Sequence, residues 1–275
     1  MEKHFVSERN GRSQITERGR RSPRHSRIRF AVCGMLYGVF CSFCLFAAPA
    51  SAGVTAESTR VIFSTGAMER SLQLVNVNAY PVIVQAWVDN GELDSVPEES
   101  KSPIIPLPPI FRMNRGDQTS LRLIYSGEPL ADDRESVFWL NLYEIPPNAT
   151  DLPPESELLT VTMRTQMKVF VRPEKLPFPA DEMPGRLAFS LKTEAGKPRL
   201  TIANPTPYFA TISALQVTGA GVAQEGKVDM ISPFSEATLD LDAFPAAAAG
   251  NADIRFSVIG DDGNQVSGKR TVKIE

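Results

Sequence analysis

Apolar and polar residues alternate along most of this chain with a period of two, and no long stretch keeps an apolar period of 3.6 residues. β-Branched and aromatic residues fill the alternating positions, as they do in strands half-buried against a core. Seven such runs come first, at 60–63, 71–77, 82–88, 110–113, 119–125, 136–145 and 158–171. A second set follows at 187–191, 199–203, 209–217, 226–230, 236–241, 254–259 and 265–274. Between the sets lie Pro173, Pro177, Pro179 and Pro184, and proline neither donates to a strand ladder nor continues a helix. Seven strands are the complement of one immunoglobulin-like sandwich. The pattern therefore predicts an all-β chain of two β-sandwich domains, 53–173 and 186–275, joined by a proline-rich hinge over 174–185.

The first 52 residues follow different rules. Nine Lys/Arg against three Glu fill residues 1–30, residues 31–48 are uncharged and apolar, and Ala50-Ser51-Ala52 precedes Gly53. A basic region, an apolar core and a small-x-small exit read as a secretory signal peptide over 1–52, cleaved after Ala52. The basic region is long for a signal peptide. A start further downstream, or an apolar run kept as a membrane anchor, are the alternatives. Export implies an oxidising compartment outside the cytoplasm.

Removing 1–52 changes the chemistry available. The full chain carries 29 Lys/Arg and 32 Asp/Glu, so residues 53–275 keep 20 against 29, a net charge of −9. Nothing basic remains to track a phosphate backbone, which argues against a nucleic-acid partner. All three cysteines (Cys33, Cys41, Cys44) and both histidines (His4, His25) lie before residue 53. The remainder has no means to build a disulfide, a Cys/His zinc site, a Ser-His-Asp triad or a Cys-His nucleophile. A Ser-Lys or paired-carboxylate enzyme is the alternative left open, and the reading is a non-enzyme with no cofactor, no metal and no small-molecule substrate.

Local motifs add little catalytic promise. Gly219-Ala-Gly221 begins like a dinucleotide loop but lacks its third glycine and its strand–loop–helix setting. Asp261-Asp262-Gly263-Asn264 lacks the further ligands of a calcium loop, and Asp-Gly between two strands is by default a hairpin turn. Pro106-Leu-Pro-Pro109 reads as a turn, with a cis proline as a variant, leading into 110–113. The acidic stretch 91–102 reads as a solvated connection, with a recognition loop as the alternative. Pro245 to Gly250 reads as a loop. Arg60 and Lys168 are cations embedded in strands. Each is either a solvated position or an anchor for an anion, and alternation alone does not separate the two. Leu159, Val161, Met163 and Met167 share one strand parity. They form either an ordinary inner face or an exposed edge whose apolar row enters a partner's core.

Taken in order, TRVIF, NVNAYPVIVQAWV, PPIFRM, FWLNLYEIPP, Lys168-x-Phe170-x-Arg172-Pro173, NPTPYFATI, ISPFS and IGDDG cover nearly all of the chain after the leader. This set resembles the periplasmic pilus chaperones of the PapD type. The resemblance implies two immunoglobulin-like domains set at an angle with a cleft between them. It implies a chaperone that caps pilus or fimbrial subunits by donor-strand complementation and delivers them to an outer-membrane usher. Carried over, Arg60 and Lys168 match the cleft cations that bind a subunit's C-terminal carboxylate. Leu159, Val161 and Met163 match the donor residues that fill the subunit's groove. Glu144, Arg172 and Asp261 match charged residues that fix the domain angle, although the turn reads Gly260-Asp-Asp-Gly263 where the family usually has Asn-Asp-Tyr-Gly. Eleven residues between Pro147 and Leu159, with no cysteine pair, look like the short-loop subfamily. Many relatives are basic, unlike this acidic chain. A secreted immunoglobulin-like fibre subunit or adhesin is the alternative reading, and a periplasmic hydrolase a more distant one.

Overall fold

The structure, a computed structural model, describes residues 53–148, 159–194, 196–245 and 248–275. The leader with its cysteines and histidines, most of the short loop before Leu159 and part of the 245–250 run lie outside the described residues. The first domain contains β1 (Val54–Ala56), β2 (Arg60–Ser64), β3 (Glu69–Asn76), β4 (Val82–Asp89), β5 (Ile104–Leu107), β6 (Ile110–Met113), β7 (Gln118–Tyr125), β8 (Ser136–Ile145) and β9 (Met163–Arg172). They form a four-stranded sheet, β1-β3-β7-β5, and a five-stranded sheet, β2-β9-β8-β4-β6. Inward positions alternate as the sequence requires. Val84, Leu140, Leu142 and Val169 on one sheet meet Leu72, Leu74, Leu121 and Leu123 on the other, all at 0–2% exposure. Full burial of one such side chain is worth about 1.5–3 kcal/mol.

Two short strands escape the sequence pattern. β1 has three residues, too few to show a period, and pairs with β3 before the chain crosses to the other sheet as β2. β5 contains Pro106 and survives because it is the edge strand beside β7. A cis peptide joins Leu107 and Pro108 in the turn before β6. Conversely, 159–162 lies outside β9, which starts at Met163 rather than 158.

The second domain contains β10 (Ala188–Glu194), β11 (Lys197–Asn204), β12 (Ile212–Gly219), β13 (Val222–Glu225), β14 (Ser235–Asp240), β15 (Gly250–Ile259) and β16 (Gln265–Ile274). One continuous sheet, β13-β12-β15-β16-β10-β11-β14, closes over its core through a parallel contact at Leu191 and Ile274. Both domains are immunoglobulin-like. The run expected at 226–230 is not a strand, its one backbone bond to β12 being from the Gly226 N–H to the Leu215 carbonyl, and Gly219-Ala-Gly221 is the β12–β13 hairpin turn. The stretch expected as a hinge packs on the second core. Leu176 and Phe178 rest against it, Met183 is buried within it, and a short helical turn spans Met183–Arg186.

Each domain pins its own loop with one buried asparagine at a strand end. Asn76 closes β3 and donates from Nδ2 to the carbonyls of Tyr80, Met113 and Asn114, while its Oδ1 accepts from Asn78. Asn204 closes β11 and repeats the arrangement with Tyr208, Ile231 and Ser232, its Oδ1 accepting from Thr206. The amide fits because it alone offers donors and an acceptor on one planar head.

Between the domains, Arg172 donates from Nε to Glu135 at 2.8 Å and from Nη1 and Nη2 to Asp261 at 2.7 and 2.8 Å. Its guanidinium lies 5.1 Å from the Tyr208 ring centroid. Glu135 is buried, accepts from the Phe209 N–H at 2.8 Å, and donates its own N–H to the Pro207 carbonyl. Burial works against the Arg172 charge, but the bonds to Asp261 and the field of Glu135 overcome it and raise its pKa. Burial also pushes the Glu135 carboxyl up, with Arg172 and the Phe209 N–H pulling back. Asp261 sits in the β15–β16 turn. There Gly263, at φ +80°, approaches Thr59 so closely that a Cβ would come within 2.6 Å of its hydroxyl.

Glu144 does not join this network, and its placement there is corrected. It faces inward near the far end of β8, nine residues beyond Glu135 and so about 30 Å along the strand. There its carboxylate accepts from the Val54 N–H at 2.8 Å and from Asn78 Nδ2 at 3.2 Å, fastening the start of β1. Glu135 occupies the cleft end because β8 and β9 run antiparallel with Ser136 opposite Val171, which puts the preceding residue beside Arg172.

Asn204→Asp turns a carboxylate toward three carbonyls and should destabilise the protein by at least about 3 kcal/mol. Urea unfolding of the intact chain measures this, and a loss below about 1 kcal/mol would remove the asparagine clamp from the argument. Glu135→Ala should cost about 3 kcal/mol, because Arg172 keeps only Asp261. Calorimetry should then resolve two unfolding transitions, and a single unshifted transition would show that the network does not couple the domains.

Candidate functional site: an open strand edge and two cations

The site follows from the unequal lengths of β2 and β9. β9 pairs with β8 along its whole length, from Met163 opposite Glu144 to Val171 opposite Ser136. β2 runs parallel on the other side but covers only Lys168 to Arg172. Among the described residues, 163–167 therefore has no partner on that side. Unpaired N–H and C=O groups of this kind are a template for another strand.

The apolar row on β9 changes environment along its length. Met167, Val169 and Val171 are buried in the first core, whereas Leu159, Val161 and Met163 are 85%, 66% and 44% exposed. All six share one parity. The first three fill this domain, whereas Leu159 and Val161 stand largely in solvent and Met163 only brushes Gly53 with its methyl end. Leu159 and Val161 precede the strand, and the nearby Thr162 hydroxyl accepts from Tyr143 Oη at 3.0 Å.

The covered half of β9 begins at the cations. Arg60 is the first residue of β2 and lies opposite Lys168 in the parallel register. Both are half-buried, and neither forms a salt bridge among the described residues. Arg60 donates from Nη1 to the Ile259 carbonyl at 3.1 Å and lies 5.6 Å from the Phe170 ring centroid, leaving its Nε buried without a partner. Burial lowers the Arg60 pKa against the pull of Asp261, Glu135 and Asp262. Burial likewise lowers that of Lys168, with the Arg60 charge adding to the effect and Asp229 opposing it. Two half-dehydrated cations side by side form a site for an anion, most favourably a carboxylate.

Four of the residues singled out in the sequence follow one another along β9 and the chain leading into it, from Leu159, Val161 and Met163 to Lys168, and the fifth, Arg60, faces Lys168 from β2. Arg172 and Asp261 lie just beyond, in the domain interface. Glu135 was missed, although the Arg-Glu-Ser start of the 136–145 run carried the signal once its pairing with the 158–171 run is counted.

Two family models match this chain in succession. Residues 53–177 match the pili and flagellar-assembly chaperone PapD N-terminal domain, and residues 182–270 match the pili assembly chaperone PapD C-terminal domain. The probable fimbrial chaperone YadV of Escherichia coli K12 is 30% identical over 225 residues, covering 81% of this chain and 91% of the relative. Its solved structure aligns with a TM-score of 0.68 at 29% identity, covering 79% of this chain and 98% of that one. The chaperone protein FimB/FhaD of Bordetella pertussis is 33% identical over 222 residues, 78% of this chain and 87% of the relative. A structure of the Salmonella enterica SafA pilin in complex with the SafB chaperone aligns with a TM-score of 0.64 at 26% identity, over 82% and 97% of the two chains. The chain belongs to the PapD family of pilus-assembly chaperones.

Proposed function

We propose that this chaperone holds a pilus or fimbrial subunit on the free edge of β9 by donor-strand complementation. The observation that carries the reading is one open strand edge that runs from an exposed apolar trio to a lysine faced by Arg60 of the neighbouring strand. The subunit's last strand adds beside 163–167, and its terminal carboxylate sits between Arg60 and Lys168. Leu159, Val161 and Met163 enter the groove left by the subunit's missing strand. Burying three such side chains gives on the order of 5–9 kcal/mol before ordering costs are subtracted. The carboxylate fixes register, because a one-residue slip would turn all three donors away from their pockets.

The wider setting belongs to the same proposal. The leader 1–52 directs the chain to the periplasm and is removed after Ala52. Residues 53–173 form the subunit-binding domain, 174–185 the connector and 186–275 the second domain. The complex is delivered to an outer-membrane usher, and release follows replacement of the three donors by the next subunit's own extension. The protein acts stoichiometrically rather than as a catalyst.

Arg60→Ala or Lys168→Ala should leave a folded protein whose affinity falls about tenfold to a hundredfold, the loss of one or two charge-assisted contacts. The probe is a synthetic peptide matching a pilus subunit's C-terminal strand, and its amidated twin should bind the wild type as weakly as the free acid binds the variants. The pH dependence has a defined sign. Burial lowers the Lys168 pKa in the free protein and a bound carboxylate raises it, so binding takes up a proton between the two values. Affinity should therefore fall as pH rises through the lowered Lys168 value, and Lys168→Ala should abolish that slope. Equal binding of acid and amide would remove the anchor.

Val161→Asp should prevent isolation of a complex with a co-expressed pilus subunit. The melting temperature of the free chaperone should move by no more than about 2 °C, because the side chain has no core of its own to leave. A collapse in melting temperature would instead assign Val161 to the chaperone's own core.

A further inference from the structure

The acidic stretch 91–102 is folded down onto the molecule, and Arg164 is what holds it. Arg164 is the second residue of β9, next to Met163 and pointing to the opposite face. Its side chain crosses β8, where Nε donates to Asn141 Oδ1 at 2.9 Å, and reaches Asp89 at the end of β4 at 3.3 Å. From there it grips the loop, donating to the carbonyls of Glu92 at 3.2 Å and Leu93 at 2.6 Å and to Ser95 Oγ at 3.1 Å. The guanidinium also lies 4.9 Å from the Trp87 ring centroid. One side chain thus spans three strands and a loop at right angles to the strand direction.

A second observation concerns the loop itself. Gly91 has φ +102°, and a Cβ there would stand 3.0 Å from the Trp139 ring. Only glycine lets the loop descend onto β8 at that point. Asp89 beneath it is buried and accepts from Asn141, the Gly91 N–H, Trp87 Nε1 and the Ser95 hydroxyl as well as from Arg164. The cluster is fully connected, and it lies on the half of the sheet where β9 has only one neighbouring strand.

We propose that Arg164 is a positioning residue of the subunit-binding edge, bracing the free half of β9 against β8, β4 and the 91–95 loop. The inference rests on the edge reading above and adds a residue to it. A strand end with one neighbour frays unless something ties it down. A braced edge meets an incoming strand already straight and in register, which lowers the ordering cost of binding. Lysine does not substitute, because a point charge on a flexible stem cannot fork between Asn141, Asp89 and two carbonyls.

The test uses the intact mature chain, wild type and Arg164→Lys, with Gly91→Ala as a second variant that lifts the loop while Arg164 is present. Asp89 keeps four donors in Arg164→Lys (Asn141, the Gly91 N–H, Trp87 and Ser95) and three in Gly91→Ala (Asn141, Trp87 and Arg164), so both variants should fold. Hydrogen exchange of the free protein should speed about tenfold across 163–167 in both, with 138–142 unchanged. Release of a co-expressed pilus subunit should speed by about the same factor. Unchanged exchange across 163–167 in both variants overturns the brace, and so does faster exchange with unaltered subunit release. A wild-type chain that holds no subunit, or holds it equally well with Val161→Asp, sinks the edge reading instead and takes the purpose of the brace with it.

Discussion

The place where β2 begins decides what this molecule can do. β2 has five residues and β9 has ten, in parallel register from Arg60 opposite Lys168 to Ser64 opposite Arg172. Had β2 begun five residues earlier, the edge would be paired and the molecule a closed pair of sandwiches. The chain before Arg60 is used elsewhere. β1 belongs to the other sheet, and Glu144 and Asn78 fasten its start there. One crossing between sheets thus leaves half of β9 without a second neighbour among the described residues and brings two cations onto facing positions at the boundary. The domain interface depends on the same strand, since Phe170 meets Phe209 at 5.9 Å and Arg172 ends β9 in the carboxylate pair.

Much of the fold was legible because one face of nearly every strand is buried. Alternation along 82–88 and 136–145 has to match the pleat, and it does, with Val82, Val84, Ala86 and Val88 all inward. What escaped was either too short to have a period or set by partners distant in sequence. β1 and β5 are of the first kind. The 226–230 segment is of the second, since its alternation goes with side-chain burial but β13 has already taken the place beside β12.

The site divides along the same line. The exposed trio and the buried half of its row look identical in sequence because parity is the same, yet Val161 precedes β9 and stands exposed while Val169 lies within it and is buried. Arg60 and Lys168 carry no local sign of being neighbours, and their pairing appears only with the parallel register. Glu144 was a plausible partner for Arg172 by residue type, yet strand direction gives the role to Glu135. Type is a weak guide where position is set by pairing.

An unpaired edge with apolar side chains is also a colloidal problem. In the absence of a subunit, two copies present each other with the same unsatisfied ladder and the same three side chains. Residues 53–275 carry a net charge of −9. That charge keeps copies apart over roughly a Debye length, about 8 Å at physiological salt. The acidity of residues 53–275 thereby acquires a physical consequence. Added salt shortens that range, and with it the separation at which two such edges begin to attract one another.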